Sequence, residues 1–496
     1  MEKLYLGWLD TGVILAYAAV LVAMGAYFLK KSRTSEGFMV ASRSIPAWAA
    51  GLAVMSAYTS SISYIATPGK AFDTNWHPFI FSLCIIPVTW LVSKYALPYY
   101  QKAKLISVYS FLENRLGNWA RAYAGISFLL YMTGRVAVIL YLSGLLLNTF
   151  LPQSIVVLIL FIGLITIIYT LLGGMEAVIW TDVMQSAIMI AGLLYCAVYL
   201  SIQVLSGDPP LIQNAIAANK FSLGSLKLSL SSRTVWVMII YGLTENLRNL
   251  MADQNYVQKY ASVGSLKEAR RSIWTAMGIY IPLTAVFLYI GTALFAYYSN
   301  GGLPAEITKG DQVFPYFIAT QVPIGLKGLI VAAIIAAAMS TIDSGLNCSA
   351  TIALLDFHKR YFKPNLSEKA SLFYLRAATV FWGVLGTGFA LLMLNAQSAL
   401  DVWWTISGIF GGGILGLFLI ALFKIRLQTW QGIVGIAISI LAISWATFAR
   451  NLPPQWKWLE CNMETILIGT FGTAIMLIVV VVLSRLFPAR EEQSAI

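Results

Sequence analysis

The stretch SAYTSSISY, residues 56–64, lies within an apolar run near 46–66, and seven of its nine residues carry a hydroxyl group. Pro68 and Gly69 follow it. Single Ser and Thr residues let membrane helices pack closely, but packing alone does not account for this density. The alternative is a helix broken near the middle of the bilayer, whose freed carbonyls and hydroxyls face a cavity. The stretch therefore predicts a discontinuous membrane-spanning helix.

The composition of the 496-residue chain supports a membrane location. Hydrophobic residues make up 59% of it, charged residues make up 11%, and the mean hydropathy is +0.76. Soluble domains carry about 25% charged residues, so this chain has too little polar surface to cover a water-soluble protein of its size. The composition indicates an integral membrane protein.

Thirteen apolar runs approach the length of about 20 residues that a helix needs to cross the hydrocarbon layer. The first is a retained span rather than a signal peptide, because Lys30, Lys31 and Arg33 follow it instead of preceding it. We therefore expect an all-α integral membrane protein with about 13 transmembrane helices. The runs lie near 8–29, 46–66, 77–97, 120–149, 154–172, 176–204, 233–254, 273–298, 325–357, 374–393, 401–423, 430–449 and 463–486.

The distribution of basic residues predicts the orientation of the chain. With the N-terminus outside, 21 Lys and Arg residues fall in cytoplasmic segments and nine fall in outer segments. The cytoplasmic group includes Lys259, which the run near 233–254 leaves in a loop. This bias predicts an outer N-terminus and a cytoplasmic C-terminus.

Missing motifs exclude several classes of function. The chain has no GxxxxGK[ST] motif and no large loop, which excludes ATP-driven transport within this chain. Two His and four scattered Cys do not form a CxxC or HExxH motif, and no basic stretch is long enough to bind nucleic acid. Secondary transport, a channel or a membrane-embedded enzyme remain. An enzyme is disfavoured because the cavity residues offer no nucleophile–base pair and no histidine inside a span; His77 lies only at the start of its run.

The run near 325–357 carries a second polar cluster, in the sequence AAAMSTIDS at 336–344. A carboxylate inside a membrane is costly enough to indicate a function. Hydroxyls, carbonyls and a carboxylate are the hard oxygen ligands that suit a small hard cation. On a helix, the polar side chains fall within one arc of about 160°: Ser340, Thr341, Asp343, Ser344 and Asn347. We interpret this face, together with 56–64, as a sodium site.

Asp182 and Arg135 are further charges inside apolar runs. Asp182 either anchors its helix at the interface or belongs to a second cation site. Arg135 lies near the centre of its run, where a guanidinium requires an anionic partner. That partner is either structural (such as Asp182, Glu245 or Asp343) or the carboxylate of a substrate, bound by two parallel hydrogen bonds. Glu245 and Arg248 are expected to pair with each other along one helix.

Several segments resemble the sodium:solute symporter family. These are IYTLLGGMEA at 168–177 with the following VIWTDVMQ, AAAMSTIDSGLN at 336–347 and DQNYVQKY at 253–260. Within that family, the likeness to bacterial sialic acid symporters is carried by WAAG (48–51), PGKAF (68–72), GRVAVILYL (134–142) and GGMEAVIWTDV (173–183).

The resemblance implies the inverted-repeat (5+5) fold of the amino-acid and sugar symporters, with broken helices at the midplane. Residues 1–45 would form a peripheral span and a cytoplasmic loop, and 46–204 the first five-helix repeat. An extracellular loop at 205–232 would precede the second five-helix repeat at 233–423. Two peripheral spans and a short cytoplasmic tail would occupy 424–496, in the inner membrane of a bacterium.

The resemblance also implies ligands for sodium. The main site would use backbone carbonyls of Ser56, Thr59 and Ala337 with the hydroxyls of Ser340 and Thr341. A second site, present in some members, would map to Asp182, Ser340, Asp343 and Ser344. Residue 343 is Asp where those members have Ser, so this position either binds sodium more strongly or carries a proton.

For the substrate, Ser60, Ser63, Arg135 and Asn246 match positions implicated in sialic acid binding. Tyr58 and Ser82 depart from the Thr and Gln expected there, which keeps a different carboxylated sugar, or a neutral one, open.

We therefore expect a sodium-coupled symporter for a sugar acid such as sialic acid, with the lipid bilayer as its surroundings; a monomer is compatible with the sequence. A symporter for a neutral hexose or another small metabolite is the alternative. A transporter-like sensor is less favoured, because only a short tail follows the last run.

Overall fold

The computed structural model describes residues 6–29, 32–206, 210–305, 307–395, 399–450 and 452–488. All regular structure within these ranges is helical, because lipid offers the backbone no hydrogen-bond partners and a helix satisfies its own. The α-helices, in chain order, are α1 (Trp8–Phe28), α2 (Ser35–Val40), α3 (Ala47–Tyr58), α4 (Ser61–Asp73), α5 (Phe79–Leu83), α6 (Ile85–Lys102), α7 (Ser110–Leu116), α8 (Asn118–Phe150), α9 (Ile155–Leu205), α10 (Ile212–Ala217), α11 (Val235–Leu247), α12 (Gln254–Ala261), α13 (Leu266–Tyr298), α14 (Gly310–Gln321), α15 (Leu326–Ile352), α16 (Glu368–Leu392), α17 (Ala399–Leu422), α18 (Thr429–Phe448) and α19 (Ile468–Leu486).

Nine helical segments of the described chain are long and apolar enough to cross a membrane, or ten if the bent pair Ser35–Arg43 and Ala47–Tyr58 is one span. This confirms the all-helical membrane architecture. Each of the thirteen apolar runs contains helix, but the runs near 46–66 and 233–254 are divided into shorter pieces. The number of spans therefore stays a prediction.

Helix α9 contains a sharp break at Gly174. Its 51 residues would extend about 77 Å at 1.5 Å per residue, which is more than twice the roughly 30 Å of hydrocarbon. Gly174 adopts φ 57° and ψ −153°, a conformation that only glycine adopts readily. A Cβ atom at this position would also lie 2.9 Å from the backbone of Phe38. The runs near 154–172 and 176–204 thus become two helical segments that meet at this glycine.

Helix α15 lies at the centre of the protein and packs against α1, α3, α8, α9 and α16. Within its most apolar stretch, 94% of the residues are buried inside the protein, against 33% for the peripheral α1. The small side chains of Ala336, Ala337 and Ala338 permit this close approach. The polar residues that follow them therefore face other helices rather than lipid.

Asp10 joins the peripheral α1 to the start of α15. Its Oδ1 atom accepts hydrogen bonds from the backbone N–H groups of Gly325, at 2.7 Å, and Gly328, at 2.8 Å. The first N–H groups of a helix have no partner within the helix, so a carboxylate here satisfies two of them and opposes the positive end of the helix dipole. This bond fixes the first helix against the central one.

Two spans are broken. The chain leaves the helical conformation between α3 and α4, at Thr59 and Ser60, which confirms the break expected in the hydroxyl-rich stretch. The second break, which the sequence analysis did not anticipate, follows α11. There a π-helical turn at Arg248–Ala252 leads into Asp253, whose backbone is extended and whose side chain caps α12.

Candidate cation and substrate site

Side chains from other helices form hydrogen bonds to the backbone at the break between α3 and α4. The carbonyl oxygen of Ala57 accepts hydrogen bonds from Arg135 Nη2, at 3.2 Å, and from Tyr256 Oη, at 3.1 Å. These donors replace the backbone N–H that would follow in a continuous helix. Thr59 and Ser60 are extended, with ψ of 96° and 173°. Arg135 on α8 and Tyr256 on α12 thus bond to the carbonyl that the break leaves free.

The five residues expected to bind the main sodium ion lie on α3 and α15, two helices that are in contact. All five are buried. Ser340 Oγ and Thr341 Oγ1 both donate to the carbonyl of Ala337, at 3.1 and 3.4 Å. Within the described chain, no hydrogen bond joins these atoms to Ser56 or Thr59. Because a donating hydroxyl keeps its lone pairs, the face of α15 presents oxygen acceptors that the protein itself does not use.

Asp182 forms a buried ion pair with a lysine. Lys259 Nζ lies 2.8 Å from Asp182 Oδ2, and both side chains are fully excluded from solvent. The same ammonium donates to the carbonyl of Ala53 on α3, at 2.9 Å. Ser56 lies next to the Asp182 carboxylate, whose other oxygen, Oδ1, has no hydrogen-bond partner among the described residues. The pair therefore connects α9, α12 and the broken α3 beside the residues expected to bind the main sodium ion.

Asp343 is held by donors on α9 and on its own helix. Its Oδ2 atom accepts from Tyr169 Oη at 2.6 Å, and its Oδ1 atom accepts from the backbone N–H of Ser344 at 2.5 Å. The hydroxyl of Ser344 donates to the carbonyl of Ser340 at 2.8 Å. Asp343 also interacts electrostatically with Asp182 and Lys259. One ammonium therefore faces two buried carboxylates.

The residues expected to bind substrate are not all brought together. Ser60 is the first residue before α4 and lies at the break, Ser63 is half-buried one turn later, and Arg135 contacts the same break through Ala57. Asn246 instead bonds to the carbonyls of Phe81, at 2.9 Å, and Gly242. Its side-chain oxygen is buried with no partner in the described chain. Three of the four positions thus converge on the break, while Asn246 faces α5.

Arg135 makes no ion pair with the partners considered from sequence. It lies half-buried, bonds to a backbone carbonyl, and has Tyr131, Tyr256 and Asp253 around it. Glu245 pairs with Arg248 as expected from their spacing, with Nη2 and Oε1 at 2.5 Å. Glu245 is therefore not the anionic partner of Arg135.

Tyr58 and Ser82 lie in one aromatic cluster beside the break. The ring of Tyr58 packs against Tyr256, at a centroid distance of 4.7 Å, and against Tyr280, at 5.0 Å. Ser82 Oγ donates to Thr284 at 3.2 Å. The two positions that depart from the sialic acid pattern thus border the region that contains Ser60 and Arg135.

Lys259 is the functional residue that the sequence analysis misplaced. The apolar run near 233–254 ends before it, so it was counted as a loop residue on the cytoplasmic side. The structure corrects this: Asp253 caps a further helix, and Lys259 lies fully buried on it. Two features of the sequence indicated this position. DQNYVQKY begins with an acidic residue that can cap a helix, and Asp182, a carboxylate inside an apolar run, requires a cation as its partner.

Comparisons with known proteins agree with this architecture. The model of the sodium:solute symporter family matches residues 38–438. The sodium/sialic acid symporter SiaT of Proteus mirabilis is 32% identical over 469 residues, which cover 94% of each chain. The sodium/sialic acid symporter NanT of Aliivibrio fischeri is 32% identical over 457 residues, covering 91% of this chain and 90% of that one.

A solved structure shares the fold along almost the whole length. It is the substrate-bound outward-open state of a Na⁺-coupled sialic acid symporter, with a TM-score of 0.89 and 31% identity, and the match covers 97% of this chain and 98% of that chain. The family predicted from the sequence motifs is therefore confirmed: the chain belongs to the sodium:solute symporter family.

Proposed function

We propose that this protein imports a sugar acid such as sialic acid (N-acetylneuraminate) together with sodium, by alternating access. The observation that carries the proposal is the break between α3 and α4, where the Arg135 guanidinium bonds to the Ala57 carbonyl and Ser60 has an extended backbone, on helices that contact the oxygen-rich α15. Relatives of almost equal length that are named sodium/sialic acid symporters support the choice of substrate.

Two inverted repeats of five helices, at 46–204 and 233–423, explain the position of the breaks. The first span of each repeat is interrupted, at Thr59 in one and at Arg248–Ala252 in the other. Interrupted spans in corresponding positions of two halves are typical of transporters whose site lies at the midplane. About 13 spans, with the first and the last two peripheral, complete this arrangement.

The protein is a multi-pass protein of the bacterial plasma membrane in this proposal, with its N-terminus outside and its C-terminus in the cytoplasm. The bias of basic residues supports this orientation. Burial of Lys259 removes one residue from the cytoplasmic count, and the remaining bias still has the same direction. A monomer contains every residue that the proposed mechanism uses.

The main sodium ion would bind between α3 and α15. Carbonyl oxygens of Ser56, Thr59 and Ala337 and hydroxyl oxygens of Ser340 and Thr341 provide five hard ligands, the type that alkali cations prefer over nitrogen or sulfur. Since the ligands come from a broken helix and from the central helix, sodium would hold the two together. The ion would thereby favour the state that binds solute.

Thr341→Ala tests this site, because it removes one oxygen ligand and leaves a good helix former. We expect the sodium concentration for half-maximal uptake to rise at least roughly tenfold. Thr166→Ala is the matched control, since Thr166 is a buried threonine that bonds only to its own helix, at Ile162. An unchanged sodium dependence in Thr341→Ala, or an equal change in Thr166→Ala, would refute the assignment.

A second cation at Asp182 would have to share its site with Lys259. The Lys259 ammonium already donates a hydrogen bond to one oxygen of Asp182. It therefore supplies the positive charge that a sodium ion would otherwise provide to this carboxylate. The two carboxylates of Asp182 and Asp343 nevertheless exceed the single ammonium by one charge. We propose that Asp343 with Ser340 and Ser344 holds that extra positive charge, as a sodium ion or as a proton.

Asp343→Ser distinguishes the two ions. If Asp343 binds sodium, the variant should keep transport but change its sodium dependence. If Asp343 carries a coupling proton, the variant should lose the pH dependence of transport. Tyr169→Phe, which removes the 2.6 Å hydrogen bond to Asp343, should shift the same property without abolishing it, because the carboxylate remains. If neither variant changes either property, Asp343 is a structural residue.

The substrate carboxylate would bind Arg135. In the structure, this guanidinium bonds to Ala57 and also lies against the Tyr256 hydroxyl, and its remaining N–H groups allow the bidentate geometry that carboxylates favour. Ser60 and Ser63 would contact sugar hydroxyls next to it. Asn246 would join them through its unpaired side-chain oxygen.

A neutral hexose is the alternative substrate, and Tyr58 is the observation that favours it. An aromatic ring beside the break, packed at a tilt against Tyr256 and Tyr280, is the kind of apolar surface on which a sugar ring packs. It stands where the sialic acid pattern has Thr.

A thermal-shift screen of the purified protein decides between these substrates. Sugars and sugar acids are compared in sodium and in potassium. We expect sialic acid to raise the melting temperature in sodium and to have little effect in potassium. Stabilisation by a neutral hexose and not by any sugar acid would support the alternative.

A further inference from the structure

A cavity of about 170 Å³ lies away from the candidate site, between the ends of α6, α7 and α17. This is more space than a single water molecule needs. Four of its ten lining residues are aromatic and two are cations: Tyr95, Tyr99, Tyr100, Phe111, Arg115 and Lys424. None of these six residues belongs to the proposed sodium or substrate sites. We call this space the aromatic cavity.

The two cations of the aromatic cavity are exposed, and their side chains make no hydrogen bond or ion pair with any described residue. Their neighbours are neutralised. Arg121 pairs with Glu113, at 2.5 Å, and with Asp356, while Arg360 also pairs with Glu113. Arg115 and Lys424 thus offer positive charge that the nearby carboxylates do not balance.

Lys424 occupies a backbone position where glycine is usual. Its φ is 54°, and the N–H of Ile425 donates to the carbonyl of Ile420 at 3.1 Å, the hydrogen bond that ends a helix in a Schellman motif. Glycine would adopt this conformation without strain. A lysine here also balances the partial negative charge at the end of α17, so the position alone does not prove a ligand.

Aromatic side chains on the surface next to the aromatic cavity place it at the depth of the lipid head groups. Tyr95 is 52% exposed, Trp90 is 53% exposed, and Phe423 is 67% exposed. Lys94 Nζ lies 4.8 Å from the ring centre of Trp90. Tyr and Trp rings with adjacent Lys residues are typical of the membrane–water interface. The aromatic cavity therefore lies where a phospholipid head group can reach it from the side.

We propose that the aromatic cavity binds the phosphate of an anionic membrane phospholipid. Arg115 and Lys424 contact the phosphate, and the acyl chains lie along the exposed face of α6 near Trp90. Basic recesses between spanning helices recognise anionic head groups in this way. Neither the coupling ion nor the solute enters this inference, so it is independent of the proposed function.

The aromatic cavity adjoins the second break, the π-helical turn at Arg248–Ala252. Tyr100 Oη donates to the carbonyl of Met251 at 2.8 Å, within the π-helical turn, and Met251 itself lines the aromatic cavity. A lipid that bridges α7 and α17 therefore contacts the segment that connects α11 to α12. We expect the bound lipid to stabilise this junction against thermal unfolding.

The test measures binding of short-chain phosphatidylglycerol to the full-length protein in neutral detergent, by native mass spectrometry and by thermal shift. The double variant R115A/K424A should bind at least roughly tenfold more weakly, because it loses two charge-assisted contacts. The single variant R115A, which leaves the end of α17 intact, should lose part of the affinity. K363A/K369A is the matched control, since it removes two exposed cations on the same end of the bundle that do not line the aromatic cavity.

Each outcome supports or overturns the proposal. Weak binding of short-chain phosphatidylcholine and of inorganic phosphate, with binding of phosphatidylglycerol weakened in R115A and more so in R115A/K424A but not in K363A/K369A, supports a site for an anionic lipid. Inorganic phosphate that binds as tightly as the lipid would assign the aromatic cavity to a soluble anion instead. Equal losses in R115A/K424A and K363A/K369A would show unspecific attraction. If R115A/K424A binds lipid as tightly as the wild type but has a lower melting temperature, Lys424 serves only to cap α17 and the proposal is wrong.

Discussion

Lys259→Met is expected to destabilise the folded protein by about 3–5 kcal/mol, since it leaves the Asp182 carboxylate buried without its partner. The melting temperature in detergent, followed by size-exclusion chromatography, should fall sharply. The double variant D182N/K259M should recover most of the loss, because it removes both charges and keeps similar volumes. Lys363→Met is the control, as Lys363 is exposed and its side chain makes no hydrogen bond or ion pair with any described residue.

The same variant reports on the second cation. With the ammonium absent, sodium can approach Asp182, and we expect sodium to raise the melting temperature of Lys259→Met more than that of the wild type. Potassium at equal concentration is the comparison, because it matches ionic strength. A stability of Lys259→Met equal to the wild type, or a double variant no better than the single one, would contradict the importance of this pair.

Arg135→Lys is expected to weaken binding of a sugar acid by about ten- to a hundredfold, the effect of losing roughly 1.5–3 kcal/mol of charge-assisted hydrogen bonding. A lysine keeps the positive charge but cannot form two parallel bonds to a carboxylate. Calorimetric titration of the purified variant in saturating sodium measures the loss.

A methyl ester of the substrate separates this role from a structural one. Esterification should weaken binding to the wild type by a similar factor and add little to the loss in Arg135→Lys, because both changes remove the same interaction. Arg135 also bonds to Ala57, so a purely structural role would lower stability or sodium affinity and would not depend on the ester. Independent, additive losses would contradict the carboxylate contact and favour a neutral sugar.

The sequence predicted the first break because seven hydroxyl-bearing residues in nine exceed what helix packing needs. It did not predict that Ala57 would be the freed carbonyl, since the donors Arg135 and Tyr256 come from 78 and 199 residues away. Contacts of that separation depend on how the helices pack, and a single sequence carries no direct signal for them.

The positions of the second break and of Lys259 could not be predicted from apolar runs alone. The π-helical turn at Arg248–Ala252 has no glycine or proline to mark it, so the run near 233–254 read as one continuous helix. Lys259 then fell outside it. The charge on Asp182 required a partner, but choosing among the basic residues needed the position of α12 against α3 and α9.

Gly174 is an intermediate case. The two apolar runs on either side of it are separated by GGM at 173–175, which indicates a connection between spans. The structure shows that the chain turns at a single residue, Gly174, which has a positive φ and lies close to the backbone of Phe38. This close approach depends on how the helices pack, so the sequence alone could predict only that glycine is favoured at this position.

Uptake of radiolabelled N-acetylneuraminate into proteoliposomes under an inward sodium gradient tests sodium-coupled transport most directly. The account predicts accumulation above the external concentration with sodium outside, and no accumulation when choline replaces it. Raising external sodium should lower the solute concentration for half-maximal uptake, because each ligand must favour binding of the other. Equal uptake in sodium and in choline would contradict sodium coupling.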